Sequence, residues 1–298
     1  MTSNPIADPS PAAGPIQPVE LRSENRFRFR CHPGIACFNA CCKNIDITLT
    51  PYDIVRLKRR VGLGSKEFVA QYTIPFEMDS QRMPGLKLRT KPGTTACAFL
   101  GDQGCGVYED RPVSCRYYAL GSMGVRRKEE TNVEDIFFVV REPHCLGHEE
   151  RHDQTVAEYR AEQGIERYDA MNRAWRDIIL KKRSSGPTVG APSPRSLQLF
   201  DMCSYDTDSF REFIRSDGFL DVFDVSDAEV EVLARDEDKL LAFGMRFLNQ
   251  VLFGEMTIPI RRDARERRIE KRKAVWAARR HDAVARFRDD LERQKYGE

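Results

Sequence analysis

The sequence lacks a run of about 18 apolar residues, so it predicts no membrane span. Its first twenty residues also lack a basic start followed by an apolar stretch, which argues against a secretory signal and predicts a cytoplasmic protein. The motifs typical of dinucleotide binding, P-loop nucleotide binding, zinc peptidases and serine hydrolases are absent. The common nucleotide and hydrolase chemistries therefore have no support in the sequence.

An excess of either charge is missing as well. Lys and Arg number 48 and Asp and Glu number 46, a net charge of +2 that is too balanced for a polyanion binder over the whole chain. A local excess of positive charge does occur, since residues 261–298 carry a net charge of +6. Their basic residues alternate with acidic ones at helical spacing, as in Arg262 and Glu266. This pattern favours a solvated helix or one that docks a protein partner, with nucleic-acid binding as a minor alternative.

Cysteine, in contrast, is abundant and clustered. Eight of the nine cysteines lie within residues 31–145. In a reducing compartment such clustering indicates metal or redox chemistry rather than a disulfide framework. Cys203 stands apart and is predicted to be a core residue. The candidate metal ligands are Cys31, Cys37, Cys41, Cys42, Cys97, Cys105, Cys115 and Cys145.

The spacing of these thiols bears on the metal they would bind. Only Cys37-x3-Cys41 and Cys37-x4-Cys42 approach a zinc knuckle, whereas iron–sulfur clusters tolerate dispersed thiolates. We therefore favour an iron–sulfur cluster over a zinc or iron ion. Eight thiols allow two four-ligand centres, or one centre with redox-active cysteines to spare. Three histidines lie beside the motifs and are minor ligand candidates: His32, His144 and His148.

The residues before Cys115 predict a short helix. With Asp110 as its N-cap and Pro112 in its first turn, the helix dipole would favour the Cys115 thiolate. Two arginines, Arg111 and Arg116, have two equally plausible roles. They offset the negative charge of a thiolate centre, or they form surface ion pairs with Glu109 or Asp110.

The cysteine motifs resemble those of a known family. They run from Cys31, Cys37 and the adjacent Cys41 and Cys42 to Cys97-x2-Leu100 and Cys105-x-Val107-Tyr108-x2-Arg111-Pro112-x2-Cys115-Arg116. This pattern resembles the CxxCxxCC family, the YkgJ-like cysteine-cluster proteins with a zinc- or iron-chelating domain, over about residues 25–150. The resemblance implies metal chelation. One relative, flagellin lysine-N-methylase, implies an iron–sulfur-dependent protein-modifying enzyme as an alternative. An interaction module with a purely structural metal is a third hypothesis.

Composition divides the chain into five parts. The five prolines of residues 1–24 predict a disordered leader, and residues 186–194 are a Gly- and Pro-rich linker. Between them, residues 25–185 form the cysteine-cluster domain with a helical extension. Residues 195–258 form a small helical region and residues 259–298 a charged C-terminal helix. The expected fold class is α+β, helix-dominant, with a loop-rich metal-binding domain and a helical C-terminal extension.

Local signals predict the main elements. Thr50, Pro51 and Asp53 start a helix that stops at Gly62 or Gly64, and Ser65 caps the next one. Thr155 and Glu158 form a second capping box, for a helix that ends at Gly164, and an amphipathic helix follows over 166–183. Ser226 caps a helix running towards Leu252. Short apolar runs predict strands at Leu86–Arg89, Ala96–Leu100 and Ile136–Val140.

Overall fold

The computed structural model describes residues 20–80, 82–126, 133–184 and 192–267, together with residues 269, 270, 272, 273 and 280. Over these residues the protein is α+β, with helices predominating over short strands, as expected from the sequence. The chain divides into two compact units, Met1–Asp206 and Thr207–Glu298. Among the described residues, no helix has the length and apolarity needed to cross a membrane.

The described strands form four small antiparallel sheets in the first unit. Strand β1 pairs with β9, β4 lies between β2 and β3, β5 pairs with β6, and β7 pairs with β8. The strands are β1 Arg26–Arg28, β2 Thr48–Leu49, β3 Thr73–Glu77, β4 Pro84–Leu88, β5 Leu100–Gly101, β6 Gly104–Cys105, β7 Leu120–Arg126, β8 Val133–Val139 and β9 Asp153–Thr155.

Helices fill the rest of the first unit and form the described part of the second. The first unit contains α1 Pro51–Val61, α2 Ser65–Tyr72, α3 Val113–Tyr117, α4 Val156–Glu162, α5 Ile165–Ser184 and α6 Pro194–Tyr205, with 3-10 helices at Ala40–Lys43 and Tyr108–Asp110. The second unit contains α7 Thr207–Arg215, α8 Asp217–Leu220, α9 Asp227–Arg235 and α10 Glu237–Phe253.

The predicted helix caps of the first unit are confirmed. Thr50 and Asp53 form a reciprocal capping box at α1, which ends at Gly62. Thr155 and Glu158 do the same at α4. Because a capping box satisfies two backbone N–H groups at the helix start, both helices begin where the sequence predicts.

Four of the predicted boundaries are wrong in detail. Gly64, not Ser65, is the N-cap of α2. The predicted helix from Ser226 breaks at Asp236, because the Asp236 side chain accepts a hydrogen bond from the Lys239 N–H and so starts α10. The predicted strand Ala96–Leu100 is mainly a turn, because the Leu100 N–H bonds to the Cys97 carbonyl. The helix before Cys115 starts later than predicted, as described below.

Several predictions fall on residues outside the described ranges. These are most of the disordered leader, most of the linker and most of the charged C-terminal helix. Pro194–Tyr205, which follows the predicted linker, is grouped with the first unit.

A core of aromatic residues lies beside the cysteine-bearing segments. It brings together residues from β1, α3, β7, β8, α4 and α5: Phe27, Phe29, Tyr117, Ala119, Leu120, Phe137, Val156, Tyr159 and Ile165. On α5 the stripe expected to pack is buried at Tyr168, Trp175 and Ile178. This core supports the backbone just before Cys31 and just after Cys115.

Candidate metal centre

The eight clustered cysteines line two adjoining cavities of the first unit. The larger cavity has a volume of about 310 Å³ and the smaller about 30 Å³. Four cysteines line only the larger cavity: Cys42, Cys97, Cys105 and Cys115. Cys37 and Cys145 line only the smaller one, and Cys31 and Cys41 line both. Cys203 lies on α6, fully buried, and lines neither.

Backbone hydrogen bonds hold the segment around Cys97 against the segment around Cys42. The Cys97 N–H donates to the Cys42 carbonyl at 2.8 Å, and the Ile45 N–H donates to the Thr95 carbonyl at 3.1 Å. The Thr95 hydroxyl adds a bond to the Lys43 carbonyl at 2.8 Å. Two cysteines far apart in sequence therefore lie side by side.

The β5–β6 hairpin places Cys105 in the lining of the larger cavity, together with Cys42 and Cys97. Cys105 pairs with Leu100, and the Gly106 N–H donates to the Phe99 carbonyl at 2.9 Å. At Gly104 the backbone φ is +108°, and a Cβ there would lie 3.2 Å from the Asn39 side-chain nitrogen. Because glycine alone adopts this conformation without strain, it lets the hairpin approach the turn between Cys37 and Cys41.

Cys115 is the third residue of α3, whose N-cap is Pro112. The prediction that Asp110 caps this helix is wrong. Asp110 ends a separate 3-10 helix, and its carboxylate accepts a hydrogen bond from the Arg56 Nε at 2.8 Å. The start of α3 is held instead by Asp53, whose Oδ1 accepts the Val113 N–H at 2.8 Å.

Asp53 links the start of α1 to the helix that bears Cys115. It is fully buried, and its Oδ2 accepts from the N–H and the hydroxyl of Thr50 at 2.8 and 2.7 Å. Burial raises the pKa of Asp53 to about 6 despite these hydrogen bonds. One side chain thus caps α1 and orients α3.

We expect Asp53→Ala to lower the free energy of unfolding by about 2 kcal/mol, because it removes the capping box of α1 and leaves the partly buried Val113 N–H without its side-chain acceptor. It should also lower the amount of metal bound per chain. The matched control is Asp236→Ala, which removes the cap of α10 and an exposed ion pair with Lys239, both in the second unit. Thermal denaturation and elemental analysis of both variants test this. Equal metal content in the two variants would contradict a role of Asp53 in positioning Cys115.

The loop 142–148 brings Cys145 next to Cys37 and Cys31. The Leu146 N–H points at the Cys37 sulfur at 3.2 Å, and the Arg30 N–H donates to the Gly147 carbonyl at 3.0 Å. A Cβ at Gly147 would lie 2.5 Å from the Phe29 ring, so only glycine allows this close packing. The loop is thereby held against the residues immediately before Cys31.

Backbone N–H groups point at several of the sulfurs. In three cases the donor is the residue two positions after the cysteine: Phe99 for Cys97, at 3.4 Å, Val107 for Cys105 and Gly147 for Cys145. Together with the Leu146 bond to Cys37, this gives four sulfurs a backbone donor. Such donors stabilise the thiolate form, which is the form that binds metal.

Without a metal, burial and mutual repulsion hold most of these thiols in their protonated form. Burial, followed by repulsion from Cys41, Cys37 and Cys145, raises the pKa of Cys31 to about 11. Burial likewise raises the pKa of Cys115, so the expectation that the helix dipole favours its thiolate is not met. Because a metal ion must displace these protons, metal binding here should strengthen with rising pH.

Cys41 and Cys42 behave as an unequal pair. Their sulfurs are 3.9 Å apart, and the hydrogen bond from Cys42 lowers the pKa of Cys41 to about 7. The same bond, together with burial, raises the pKa of Cys42. Cys41 is therefore the most readily ionised member of the pair.

The two arginines near Cys115 do not form ion pairs with Glu109 or Asp110. Arg111 donates to the Tyr108 carbonyl at 2.7 Å and to the Gln163 side-chain oxygen at 2.6 Å. Burial raises the pKa values of Cys31 and Cys105, and the positive charge of Arg111 offsets part of that rise. Arg111 thus lines the larger cavity as a buried cation whose hydrogen bonds go to neutral oxygens.

Arg116 holds the loop between Cys105 and Cys115 closed. It donates to the carbonyls of Arg111, Glu109 and Gln163 at 3.0, 2.6 and 2.7 Å. Its guanidinium also lies 4.3 Å from the centre of the Tyr168 ring. Its role is therefore to fix the backbone on which the thiols are mounted.

The three histidines differ in their surroundings. Both ring nitrogens of His148 face backbone carbonyls, those of Arg28 and Val140, and burial lowers its pKa. The Nε2 of His32 lies 3.5 Å from Glu150. His144 lines the smaller cavity, with its Nε2 3.5 Å from Glu142.

One residue that the sequence does not single out, Tyr118, lies at the boundary of the cavities. Tyr118 lines both cavities, and its hydroxyl donates to Glu142 at 2.6 Å. The same hydroxyl is hydrogen-bonded to Cys145. The spacing of the motifs does not reveal this contact, because it joins the residue after α3 to a loop 24 residues further along the chain.

The donor chemistry fits a thiophilic metal. Thiolates with backbone N–H donors and a buried cation nearby suit zinc, iron or an iron–sulfur cluster. In the parts of the chain that the structure describes, no three His, Cys, Asp or Glu side chains are arranged closely enough to hold a metal ion as they stand. Binding would therefore require thiol side chains to rotate into the cavities that they line.

Comparison with known proteins identifies the cysteine-bearing part of the chain. No curated protein and no solved structure matches it. The model of the CxxCxxCC family, described as "Putative zinc- or iron-chelating domain", matches residues 30–172. The match contains all eight clustered cysteines and leaves out Cys203. Residues 30–172 of this chain are thus similar to the CxxCxxCC family, as the motifs indicate.

Proposed function

We propose that this protein is a cytoplasmic metal-binding protein that holds an iron–sulfur cluster through its clustered cysteines. The observation that carries the proposal is the set of four cysteines lining only the larger cavity: Cys42, Cys97, Cys105 and Cys115. Four thiolates are the ligand set of an iron–sulfur cluster. An iron–sulfur cluster tolerates ligands that are widely separated in sequence, whereas structural zinc usually has paired knuckles.

The size of the larger cavity supports a polynuclear group. At about 310 Å³ it has room for far more than a single ion, for which tens of Å³ suffice. Away from the thiols, apolar and aromatic residues such as Phe38, Phe99 and Val107 make up about half of its lining. Burial of this kind, with backbone donors to the sulfurs, sets the reduction potential of such clusters.

Arg111 supports the same proposal through its charge. Among the residues that the structure describes, Arg111 forms no ion pair. Its two hydrogen bonds to neutral oxygens and its contact with the Tyr108 ring offset only part of the cost of burying its charge. A cluster held by four thiolates carries net negative charge and would supply the missing partner. Arg111 would then stabilise the reduced, more negative form of the cluster.

A protein-modifying enzyme is the second candidate function, and one feature favours it. The larger cavity is lined by residues other than cysteine as well, among them Tyr108, His152 and Gln163. These residues would contact a substrate group bound beside the cluster. An interaction module, in contrast, would need the metal only to hold the fold.

Elemental analysis of the full-length protein purified without oxygen tests the proposal. We expect a brown protein with about four iron and four acid-labile sulfide per chain, and an electron paramagnetic resonance signal on reduction. A folded protein that is colourless and binds zinc without sulfide would contradict it and favour the interaction module.

A further inference from the structure

Arg111 has hydrogen-bonding capacity that the protein itself does not use. The residue is 9% exposed and lines the larger cavity. A guanidinium carries five N–H groups, and two of those of Arg111 donate to the Tyr108 carbonyl and to the Gln163 side-chain oxygen. Among the residues that the structure describes, the other three have no hydrogen-bond partner. We propose that these N–H groups bind the carboxylate of a small organic acid in the larger cavity.

This carboxylate site goes beyond the proposed function, which concerns only the metal, because it assigns an organic ligand to the cavity. It does not depend on the cluster being present. The two roles of Arg111 are compatible, since a cluster would act on its charge through space, whereas a carboxylate would accept hydrogen bonds from its N–H groups.

The guanidinium of Arg111 is held in place by its neighbours. Its Nη1 donates to the Tyr108 carbonyl at 2.7 Å, and the Tyr108 ring covers one face, with its centre 4.0 Å from the Arg111 Cζ. Its Nη2 donates at 2.6 Å to Gln163, whose own N–H is bonded to the Tyr159 carbonyl at 2.9 Å. Because the side chain is already ordered, it loses little conformational entropy when it binds a ligand.

The surroundings of the guanidinium belong to the same cavity. Tyr108, Tyr159 and Gln163 all line it. Burial raises the pKa of Tyr159, and the positive charge of Arg111 offsets part of that rise. Since the Gln163 side-chain oxygen accepts from Arg111, its amide nitrogen is a second donor directly beside the guanidinium. A carboxylate at this position therefore meets one charged donor group and one neutral donor.

The charges around the cavity favour a carboxylate over a phosphate. The other arginine, aspartate and glutamate residues of its lining are Arg30, Asp46, Glu142 and Glu162. Three carboxylates thus face two guanidinium groups, and thiolates at the same cavity would add negative charge. A doubly charged phosphate is repelled by this excess, whereas a single carboxylate matches the one buried cation. The planar guanidinium also binds two carboxylate oxygens side by side.

Aromatic side chains are placed to contact the carbon skeleton of the acid. Tyr108 is 51% exposed, and its ring lies against the guanidinium that would hold the carboxylate. Phe38 and Phe99 line the same cavity. An aromatic acid therefore suits the lining, and benzoate is the simplest probe.

Isothermal titration calorimetry of the full-length protein with benzoate, in a buffer without other carboxylates or phosphate, tests the proposal. The wild type should bind about one benzoate per chain with a dissociation constant of about 10 mM or lower. Arg111→Gln removes the charge and should weaken binding at least about tenfold. The matched control is Arg89→Gln, because Arg89 also donates to backbone carbonyls but does not line the cavity. It should bind benzoate like the wild type. No binding by the wild type, or unchanged binding by Arg111→Gln, would overturn the proposal.

A second variant keeps the proposal testable if Arg111→Gln folds poorly. Gln163→Glu gives Arg111 an internal carboxylate at the position of its present 2.6 Å hydrogen bond. It should raise the melting temperature and weaken benzoate binding at least about tenfold, because the internal carboxylate competes for the guanidinium. A purely structural role of Arg111 predicts the higher melting temperature without the loss of binding, and that result would overturn the proposal.

Two further measurements on the same samples separate the alternatives. Inorganic phosphate that binds more tightly than benzoate would overturn the choice of a carboxylate. Iron and sulfide per chain distinguish this proposal from the proposed function. Benzoate binding that depends on Arg111 in a protein without a cluster would contradict the proposed function alone. A protein with its cluster and no benzoate binding would contradict the carboxylate site alone.

Discussion

The Cys115→Ser variant is expected to lose most of its iron, from about four atoms per chain to fewer than about one. Cys115 lines only the larger cavity. Burial raises its pKa, and repulsion from Cys97, Asp53, Cys105 and Cys41 adds to the rise. A serine hydroxyl is a far weaker ligand for iron in a thiolate site. Loss of one of four ligands should therefore empty the site rather than weaken it slightly.

The matched control is Cys203→Ser, which should keep its full iron content. Cys203 is also a cysteine on a helix, but burial alone raises its pKa and no other thiol contributes. Iron per folded chain, determined after size-exclusion chromatography, makes the comparison independent of any loss of stability. Full iron occupancy in Cys115→Ser, or equal loss in both variants, would remove Cys115 from the site.

Local interactions explain why the helix starts were predictable. The capping boxes of α1 and α4 each join residues three apart, so Thr50 with Asp53 and Thr155 with Glu158 are visible in the sequence. The strand predictions at 86–89 and 136–140 also correspond to β4 and β8. The break of the long helix at Asp236 was equally local and could have been recognised, since Asp is a preferred N-cap.

The arrangement of the site depends on contacts that no spacing reveals. The Leu146 bond to the Cys37 sulfur joins residues 109 apart, and the Asp53 bond to Val113 joins residues 60 apart. Asp110 was predicted to cap α3 because it lies two residues before Pro112. Arg56, 54 residues away, binds it instead. Such long-range contacts decide which thiols line the same cavity. The sequence alone therefore could not distinguish one metal centre from two.

Removal of metal with a chelator is expected to unfold much of residues 25–150 while leaving helices α7–α10 intact. The segments that carry the thiols have little regular structure: a 3-10 helix, a hairpin of two-residue strands, a five-residue helix and a loop. They are held mainly by isolated hydrogen bonds, so metal–thiolate bonds would supply much of their folding free energy. For structural zinc that contribution is about 10–16 kcal/mol.

The second unit has a core of its own and serves as the internal control. Phe210, Phe219 and Phe247 are buried, and the rings of Phe219 and Phe223 stack with their centres 4.6 Å apart. Its stability should not depend on thiol chemistry, because none of the nine cysteines lies beyond residue 206. Hydrogen exchange before and after metal removal measures both effects in one sample. We expect exchange to rise by orders of magnitude in residues 31–42, 95–117 and 142–148 and to change little in α7–α10. Unchanged exchange in the cysteine segments after complete metal removal would mean that packing against the aromatic core, rather than metal, holds them in place.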